Sequence, residues 1–229
     1  HLLCKQGVRG STPLVSTKTR HPPEREDFLF KRSSGQFPFP TPPEMGGVFF
    51  YTQDMSEALV IIDIQNDYFP GGAMELEGAL EASQVAAQVK SQFSAKGLPV
   101  FVVQHIAGES ASFFRPGTFG VELHESVALQ PTDVLIQKRF PNAFRETELQ
   151  RELADRGIKK LTILGMMTHM CIDTSVRAAA DLGFEVTLVS DGCATRALEF
   201  DGKRVSAAEV QAAYLAALNG TFATVEKAA

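Results

Sequence analysis

The sequence predicts an α/β protein with a parallel sheet that is covered by helices on both faces. Continuous apolar runs such as residues 58–62 are typical of strands that are buried on both sides of such a sheet. Segments with apolar residues at helical spacing alternate with these runs, and glycines end several of them. A regular alternation of strand and helix indicates this layered architecture.

The first 54 residues differ in composition from the rest of the chain. They hold seven of the twelve prolines, and no hydrophobic period precedes Val48. Such a composition predicts a disordered or appended extension, with Met55 as a possible natural start. An arm that docks on a partner subunit through residues 48–51 is the alternative. Residues 55–229 are predicted to form the folded domain.

The elements of this domain follow from periodicity and turn residues. Strands are predicted over residues 58–62, 99–104, 133–137, 160–164, 185–190 and 221–225. Helices are predicted over residues 81–96 and 148–156, from Cys171 to a stop at Gly183, and over residues 206–218 with a capping box of Ser206 and Glu209. The loop over residues 107–121 is rich in Phe and Gly and is interpreted as a lid or a wall supplied by a subunit.

Bulk properties exclude several classes of protein. The net charge of −5 gives no support to a nucleic-acid surface, and no apolar run has membrane-spanning length. The three cysteines are odd in number and widely spaced, which fits neither a disulfide framework nor a zinc site. They fit a reducing compartment, so a cytoplasmic location is expected.

Cys171 lies where a predicted buried strand turns into a helix. The free N–H groups and the dipole at a helix N-terminus favour negative charge, so a thiol there is expected to ionise more easily and to act as a nucleophile. The alternative is an inert cysteine that fills the core, which is the commoner situation.

Two further reactive groups follow two other, separated strands of the predicted sheet. Asp63 and Lys138 follow the first and third predicted strands, and ligands bind at the carboxyl edge of such sheets. Asp63 could accept the proton of Cys171 and return it to a leaving group, while Lys138 holds the carboxylate and favours the thiolate. Each residue also has an alternative interpretation when taken alone. An Asp at a strand end is often a turn cap, and a Lys after a strand is usually solvated.

Three motifs in the same order resemble the isochorismatase-like cysteine hydrolases, which include nicotinamidases and related amidases. The resemblance spans residues 58–226. It rests on residues 60–72, on Lys138, and on residues 165–171 together with Asp173, Thr174, Arg177 and Ala178.

The resemblance implies a Rossmann-like, three-layer α/β/α fold with a six-stranded sheet, and a homo-oligomer. It implies Asp63, Lys138 and Cys171 as a catalytic triad. It also implies a cis peptide bond between Met166 and Met167, which would direct the N–H groups of Met167 and Cys171 into an oxyanion hole.

Two departures from the family narrow the expected chemistry. Nicotinamidases carry a metal site with an Asp-x-His pair and a further His after the second strand, whereas residues 102–109 contain only His105. We therefore expect no catalytic metal and no other cofactor. Family members that cleave isochorismate lack the cysteine, so Cys171 favours hydrolysis of a C–N bond.

The expected partner is a small-molecule substrate, with no nucleic acid and no membrane. The interpretation is a metal-independent cysteine hydrolase that cleaves an amide, lactam or carbamoyl compound through a thioester. The alternatives are a non-catalytic oligomeric binding protein on the same scaffold, a nicotinamidase-type amidase and, lowest, a redox sensor. The side chains that could line the pocket, each of which could instead be ordinary core, are Phe69, His105, Phe113, Phe119, Thr168 and His169.

Overall fold

The computed structural model of the chain describes residues 55–228. The expectations for residues 1–54, both the disordered extension and the docking arm, lie outside this range. Within residues 55–228, no helix combines the length and the apolar character that crossing a bilayer requires.

Six parallel strands form one sheet, as predicted. Their order is β3-β2-β1-β4-β5-β8, and a separate antiparallel hairpin pairs β6 with β7. The strands are β1 (Glu57–Ile62), β2 (Val100–His105), β3 (Val134–Lys138), β4 (Lys160–Met166), β5 (Glu185–Ala194), β6 (Leu198–Phe200), β7 (Lys203–Val205) and β8 (Thr224–Glu226).

Helices cover both faces of the sheet, which gives the expected three layers. They are α1 (Ala79–Ala95), α2 (Leu149–Asp155), α3 (Asp173–Asp181) and α4 (Ala207–Leu218). Apolar side chains of α1 share one core with alternate residues of β1 and β2, whereas those of α2 and α3 pack in a second core on the other face. The capping box of Ser206 and Glu209 at the start of α4 is present.

The strand order places a switch point between β1 and β4. The chain runs outward from β1 through β2 to β3, and then returns to the other side of β1 as β4 and β5. The loops after β1 and β4 therefore diverge at the carboxyl edge of the sheet, which is where ligands bind in open α/β sheets.

Three elements differ from the prediction. β5 continues to Ala194, because a register shift between Ile163 and Gly165 lets its end pair with β4. The hairpin of β6 and β7 was not predicted, although its Asp201-Gly202 turn, with φ of 50° and 71°, is a hairpin signal. The last strand starts at Thr224, three residues later than expected.

Candidate active site

Asp63 directly follows the central strand β1 and is completely buried. Its backbone adopts the left-handed conformation, with φ of 54°, and its N–H donates a 3.0 Å hydrogen bond to the carbonyl of Val103. Non-glycine residues at such angles cluster at functional sites, although Asp tolerates them better than most. This turn aims the carboxylate across the carboxyl edge of the sheet.

Lys138, the last residue of β3, meets both other members of the expected triad. Its Nζ lies 2.7 Å from Oδ2 of Asp63 and 3.2 Å from Sγ of Cys171. The same ammonium donates to the carbonyl of Phe140 at 3.1 Å. The side chains of Asp63 and Lys138 are fully buried, so this is an ion pair in the interior with a sulfur at its side.

His105 ends β2 and joins the same cluster. Its Nδ1 lies 3.1 Å from Nζ of Lys138 and 3.8 Å from Oδ2 of Asp63. The backbone of His105 is held at both ends by Gln65, which is fully buried. The Gln65 side chain accepts from the His105 N–H at 2.7 Å and donates to its carbonyl at 3.0 Å.

The ligand atoms of Asp63, His105 and Cys171 all lie within 4.8 Å of one another, a grouping that could hold a metal ion. However, Nζ of Lys138 contacts all three atoms, at 2.7, 3.1 and 3.2 Å. A cation bound among them would meet the positive charge of the ammonium at close range. The donor set therefore fits an ammonium group rather than a metal.

Cys171 belongs to one turn of π-helix, Thr168–Ile172, that leads from β4 into α3. The N–H groups of Met170 and Ile172 both donate to the carbonyl of Met167, at 3.0 and 3.2 Å. The peptide bond between Met166 and Met167 is cis, as the resemblance implies. The predicted strand-to-helix placement of Cys171 is correct, with a π-turn as the junction.

The pKa values of Asp63 and Lys138 both shift in favour of the charged forms. Burial raises the pKa of Asp63, but the opposing effect of its neighbours, led by the Lys138 ammonium, outweighs burial, so this pKa lies below its usual value. Burial lowers the pKa of Lys138, and Asp63 and Cys171 more than compensate and raise it. The resting pair is therefore a carboxylate and an ammonium.

The expectation that Cys171 would ionise easily is wrong for the resting site. Burial and the negative charge of Asp63 raise the pKa of the thiol, and Lys138 opposes them only in part. The cysteine is 4% exposed, so the loss of hydration outweighs the field of the helix N-terminus. The thiol therefore keeps its proton in the resting site, close to the carboxylate of Asp63.

The predicted pocket aromatics lie in two places. Phe69 stacks on His124 with ring centroids 3.6 Å apart, and together with Phe119 they line a surface groove of about 550 Å³. Phe119 is 75% exposed. Phe113 is half-buried and packs against Tyr68 and Phe114. The groove does not include Cys171, so it is separate from the triad.

Thr168 and His169 are tied into the packing around the π-turn. The buried Thr168 hydroxyl contacts Oε1 of Gln211 at 2.7 Å and the carbonyl of Ala194 at 3.2 Å. Nδ1 of His169 lies 2.6 Å from the hydroxyl of Thr195, and burial lowers the pKa of this imidazole. Both contacts anchor the turn to the end of β5, so the alternative of a core histidine describes His169 well.

The sequence analysis did not single out Asp67, Tyr68 and Phe114, which build a wall beside the triad. Asp67 accepts from the N–H of Phe114 at 2.6 Å and from the N–H of Ala73 at 3.1 Å. The Phe114 ring packs 4.6 Å from Tyr68 and 5.8 Å from His105. Burial and the nearby Cys171 and Asp63 raise the pKa of Tyr68. The signal for Asp67 and Tyr68 was the polar and aromatic run after β1, and the signal for Phe114 was the Phe-rich loop over residues 107–121.

Comparisons with known proteins agree with the fold and the motifs. A family model described as an isochorismatase domain matches residues 57–226. The uncharacterized isochorismatase family protein YddQ of Bacillus subtilis is 49% identical over 173 residues, which cover 75% of this chain and 96% of that protein. Nicotinamidase 3 of Arabidopsis thaliana is 28% identical over 151 residues, which cover 60% of this chain and 73% of that protein.

A solved structure from Oleispira antarctica, described as an isochorismatase hydrolase, has a TM-score of 0.75 and 44% identity to this chain. The match covers 77% of this chain and 96% of that one. It confirms the three-layer α/β fold with a six-stranded parallel sheet. The chain therefore belongs to the isochorismatase family, whose members are hydrolases and include amidases.

Proposed function

We propose that this protein is a metal-independent cysteine hydrolase that cleaves a C–N bond of a small amide, lactam or carbamoyl compound. One observation carries the proposal. The buried Lys138 ammonium lies between the Asp63 carboxylate, at 2.7 Å, and the Cys171 sulfur, at 3.2 Å. A nucleophile and a base on one ammonium form the arrangement that covalent catalysis needs.

In the first half of the reaction, Sγ of Cys171 attacks the carbonyl carbon while Asp63 takes the thiol proton. Asp63 suits this role because its pKa is lowered and it is ionised at neutral pH. Asp63 then gives the proton to the leaving nitrogen. The C–N bond breaks, an amine or ammonia departs, and the acyl group remains on sulfur as a thioester.

In the second half, water attacks the thioester, and Asp63 takes a proton from that water. The bond between carbon and sulfur breaks, and the sulfur recovers a proton from Asp63. The products are the acid and a free thiol, so the protein returns to its starting state. Net consumption is one water per C–N bond.

Lys138 and the turn around Cys171 stabilise negative charge in these steps. The ammonium lies 3.2 Å from the sulfur and would favour the thiolate as the proton leaves. The N–H groups of Met167 and Cys171 are proposed to bind the oxyanion of the tetrahedral intermediate, because they lie at the start of the helical segment where amides are free.

The walls around the triad suggest which substrates to test. The half-buried Phe113 packs on the buried rings of Tyr68 and Phe114, and this aromatic group beside His105 favours a small acyl group with an apolar part. Nicotinamide belongs in the test because Nicotinamidase 3 is a relative. The single His105 after β2, in place of a metal site, favours other amides over it.

The experiment is a panel of primary amides, lactams, carbamoyl amines and nicotinamide, assayed for release of ammonia or acid by the full chain. Addition of hydroxylamine should intercept the thioester and give a hydroxamate. The Cys171→Ala variant should lose turnover of whichever compound reacts, because no other described residue holds a nucleophile between Asp63 and Lys138.

The matched control is Cys193→Ala. In the wild type, the sulfur of Cys193 donates to the carbonyl of Val189 and lies outside the cluster. Burial raises the pKa of Cys193 to about 12, and its described hydrogen-bond partner is a backbone carbonyl rather than an ammonium beside a carboxylate. The control should keep activity. Hydrolysis that survives in Cys171→Ala contradicts the proposal. If the wild type binds compounds of the panel but turns none of them over, a binding protein is favoured instead.

A further inference from the structure

His105 makes a contact that the mechanism above does not use. Its Nδ1 is 3.1 Å from Nζ of Lys138, nearly the same distance as the sulfur of Cys171. An ammonium has three N–H donors and no acceptor, so the imidazole must offer a lone pair at Nδ1 for this contact to be favourable. The neutral tautomer with its proton on Nε2 meets that condition.

We propose that His105 is a positioning residue of the site, which in its neutral Nε2–H form accepts a hydrogen bond from Lys138 and holds the ammonium between Asp63 and Cys171. This inference rests on the proposed function for its kinetic consequences, whereas the tautomer is independent of catalysis. It assigns to His105 a role toward Lys138, in addition to any contact with substrate.

The backbone around His105 is built to fix the imidazole. Gln65 binds the His105 N–H and carbonyl, and its Nε2 also donates to the carbonyl of Val121 at 2.7 Å. The ring packs against Phe114, with the two ring centroids 5.8 Å apart. A ring that is held by both its backbone and its face has little freedom to move away from Lys138.

The ionisable groups facing His105 predict a distinct pH dependence. They are Asp63 after β1, Lys138 on β3 and Cys171 on the π-turn, while Phe114 is neutral. The pKa of Asp63 is lowered from 3.8, that of Cys171 is raised from 9.0, and that of Lys138 is raised from 10.5. The triad groups therefore change protonation only below the first of these values or above the other two, so a proton gained by His105 would be a separate event.

A protonated His105 would disrupt the arrangement in two ways. An imidazolium has no lone pair to accept from Lys138, and it would compete with Lys138 for Oδ2 of Asp63, which lies 3.8 Å from Nδ1. We therefore expect a lower rate at acid pH whenever His105 carries a proton. This acid limb should belong to His105 and should be absent without it.

Two variants separate the acceptor from the charge. His105→Asn can place an amide oxygen near the position of Nδ1 but cannot become a cation, whereas His105→Leu has neither property. We expect kcat to fall by up to about 100-fold in His105→Leu with little change in KM, because the ammonium is misplaced. His105→Asn should recover part of that loss and should lack the acid limb.

The direct test is a long-range ¹H–¹⁵N correlation spectrum of the ¹⁵N-labelled full chain at pH 8, with His105 assigned by comparison with His105→Asn. A neutral ring protonated on Nε2 is expected. A proton on Nδ1 would overturn the proposal, because that ring could not accept from Lys138. This result is decisive even if the protein hydrolyses nothing.

The kinetic test uses 4-nitrophenyl acetate as a general acylating probe between pH 5 and 9. Loss of the acid limb in His105→Asn, with the limb kept in His124→Asn, supports the proposal; an unchanged limb in His105→Asn overturns it. If the chain shows no Cys171-dependent reaction with the probe, that result counts against the proposed hydrolase. The spectrum alone then decides the role of His105.

Discussion

At the scale of the residue, the site depends on a lysine with no access to water. Lys138 is 1% exposed, and the acceptors around its ammonium come from Asp63, His105, Phe140 and Cys171. Buried charges persist only when they are paired and hydrogen-bonded. We therefore expect the ion pair to contribute to stability as well as to the proposed chemistry, and the two contributions can be measured separately.

Replacing Lys138 with Met should destabilise the protein, because the carboxylate of Asp63 would remain buried without its partner. Breaking a buried pair in this way costs about 3–5 kcal/mol. The double variant Asp63→Asn/Lys138→Met should be more stable than Lys138→Met, although both should lack activity. Urea denaturation gives the free energies of unfolding, and a double variant no more stable than the single one would contradict this account.

Stability should also depend on pH through Asp63. Its pKa in the folded state lies below its usual value of 3.8, so the unfolded chain binds a proton more readily. The stabilisation is present above pH 3.8 and is lost as the pH falls through the lowered pKa. Lys138, whose pKa is raised from 10.5, contributes stability that is lost only above pH 10.5.

The measurement is urea denaturation of wild type and Asp63→Asn from about pH 5 to pH 2. Wild type should lose more stability than the variant over this range. Equal slopes would show that Asp63 is not held as a carboxylate by Lys138.

The sequence could place these residues but could not give their protonation. Asp63, Lys138 and Cys171 each end a strand or begin a helix, and the carboxyl edge of a parallel sheet gathers such positions. The pKa of the thiol depends on how much water reaches it and on the distance to Asp63, which are tertiary properties. For this reason the expected thiolate was wrong although its position was right.

At the scale of the element, the site needs β1 and β4 to approach closely at their ends. Gly165 pairs with Ile62, and its φ is 134°. A Cβ at this position would lie 2.0 Å from the carbonyl oxygen of Ile62. This glycine directly precedes the Met166–Met167 bond, so it also sets where the turn of Cys171 begins.

Gly165→Ala should therefore cost at least about 3 kcal/mol of unfolding free energy, since both the contact and the backbone angle are unsuitable for a side chain. Gly108→Ala is the control, because a Cβ there meets no atom within 4 Å. Thermal and urea denaturation of the two variants would check the difference. A Gly165→Ala protein as stable as the control would show that β1 and β4 can separate easily.

Elements with a strong period were predicted well, and those fixed by tertiary contacts were not. The central strands and the capping box of α4 follow directly from apolar runs and from Ser206 with Glu209. The π-turn at Cys171 has no sequence period of its own, because it is set by contacts such as those of Thr168 with β5. The end of β5 similarly depends on a register shift against β4.

At the scale of the whole molecule, the triad is closed to solvent while large apolar side chains stand elsewhere on the surface. Phe119 and Phe200 are 75% and 86% exposed. Exposed aromatic side chains of this size are common where proteins associate. The homo-oligomer expected from the family resemblance thus remains a prediction, and these two residues are proposed to lie at its contacts.

The double variant Phe119→Ser/Phe200→Ser should shift the full chain toward the monomer in light scattering after size-exclusion chromatography. Leu80→Ser, which changes a 46% exposed residue on α1, serves as the control. A wild-type chain that is monomeric at micromolar concentration would contradict the prediction. If the double variant and the control assemble equally, the two phenylalanines are not at the contact.

The switch point between β1 and β4 brings together triad residues from two separate parts of the chain. Asp63 and Lys138 precede the connection from β3 to α2, whereas Cys171 follows it, and β1 must pair with β4 to bring the two parts together. A chain severed in that connection would yield one fragment with the acid and the cation, and another with the sulfur. Under the proposed function, neither piece would hydrolyse an amide alone, so the recovery of turnover on mixing would report directly on their reassembly.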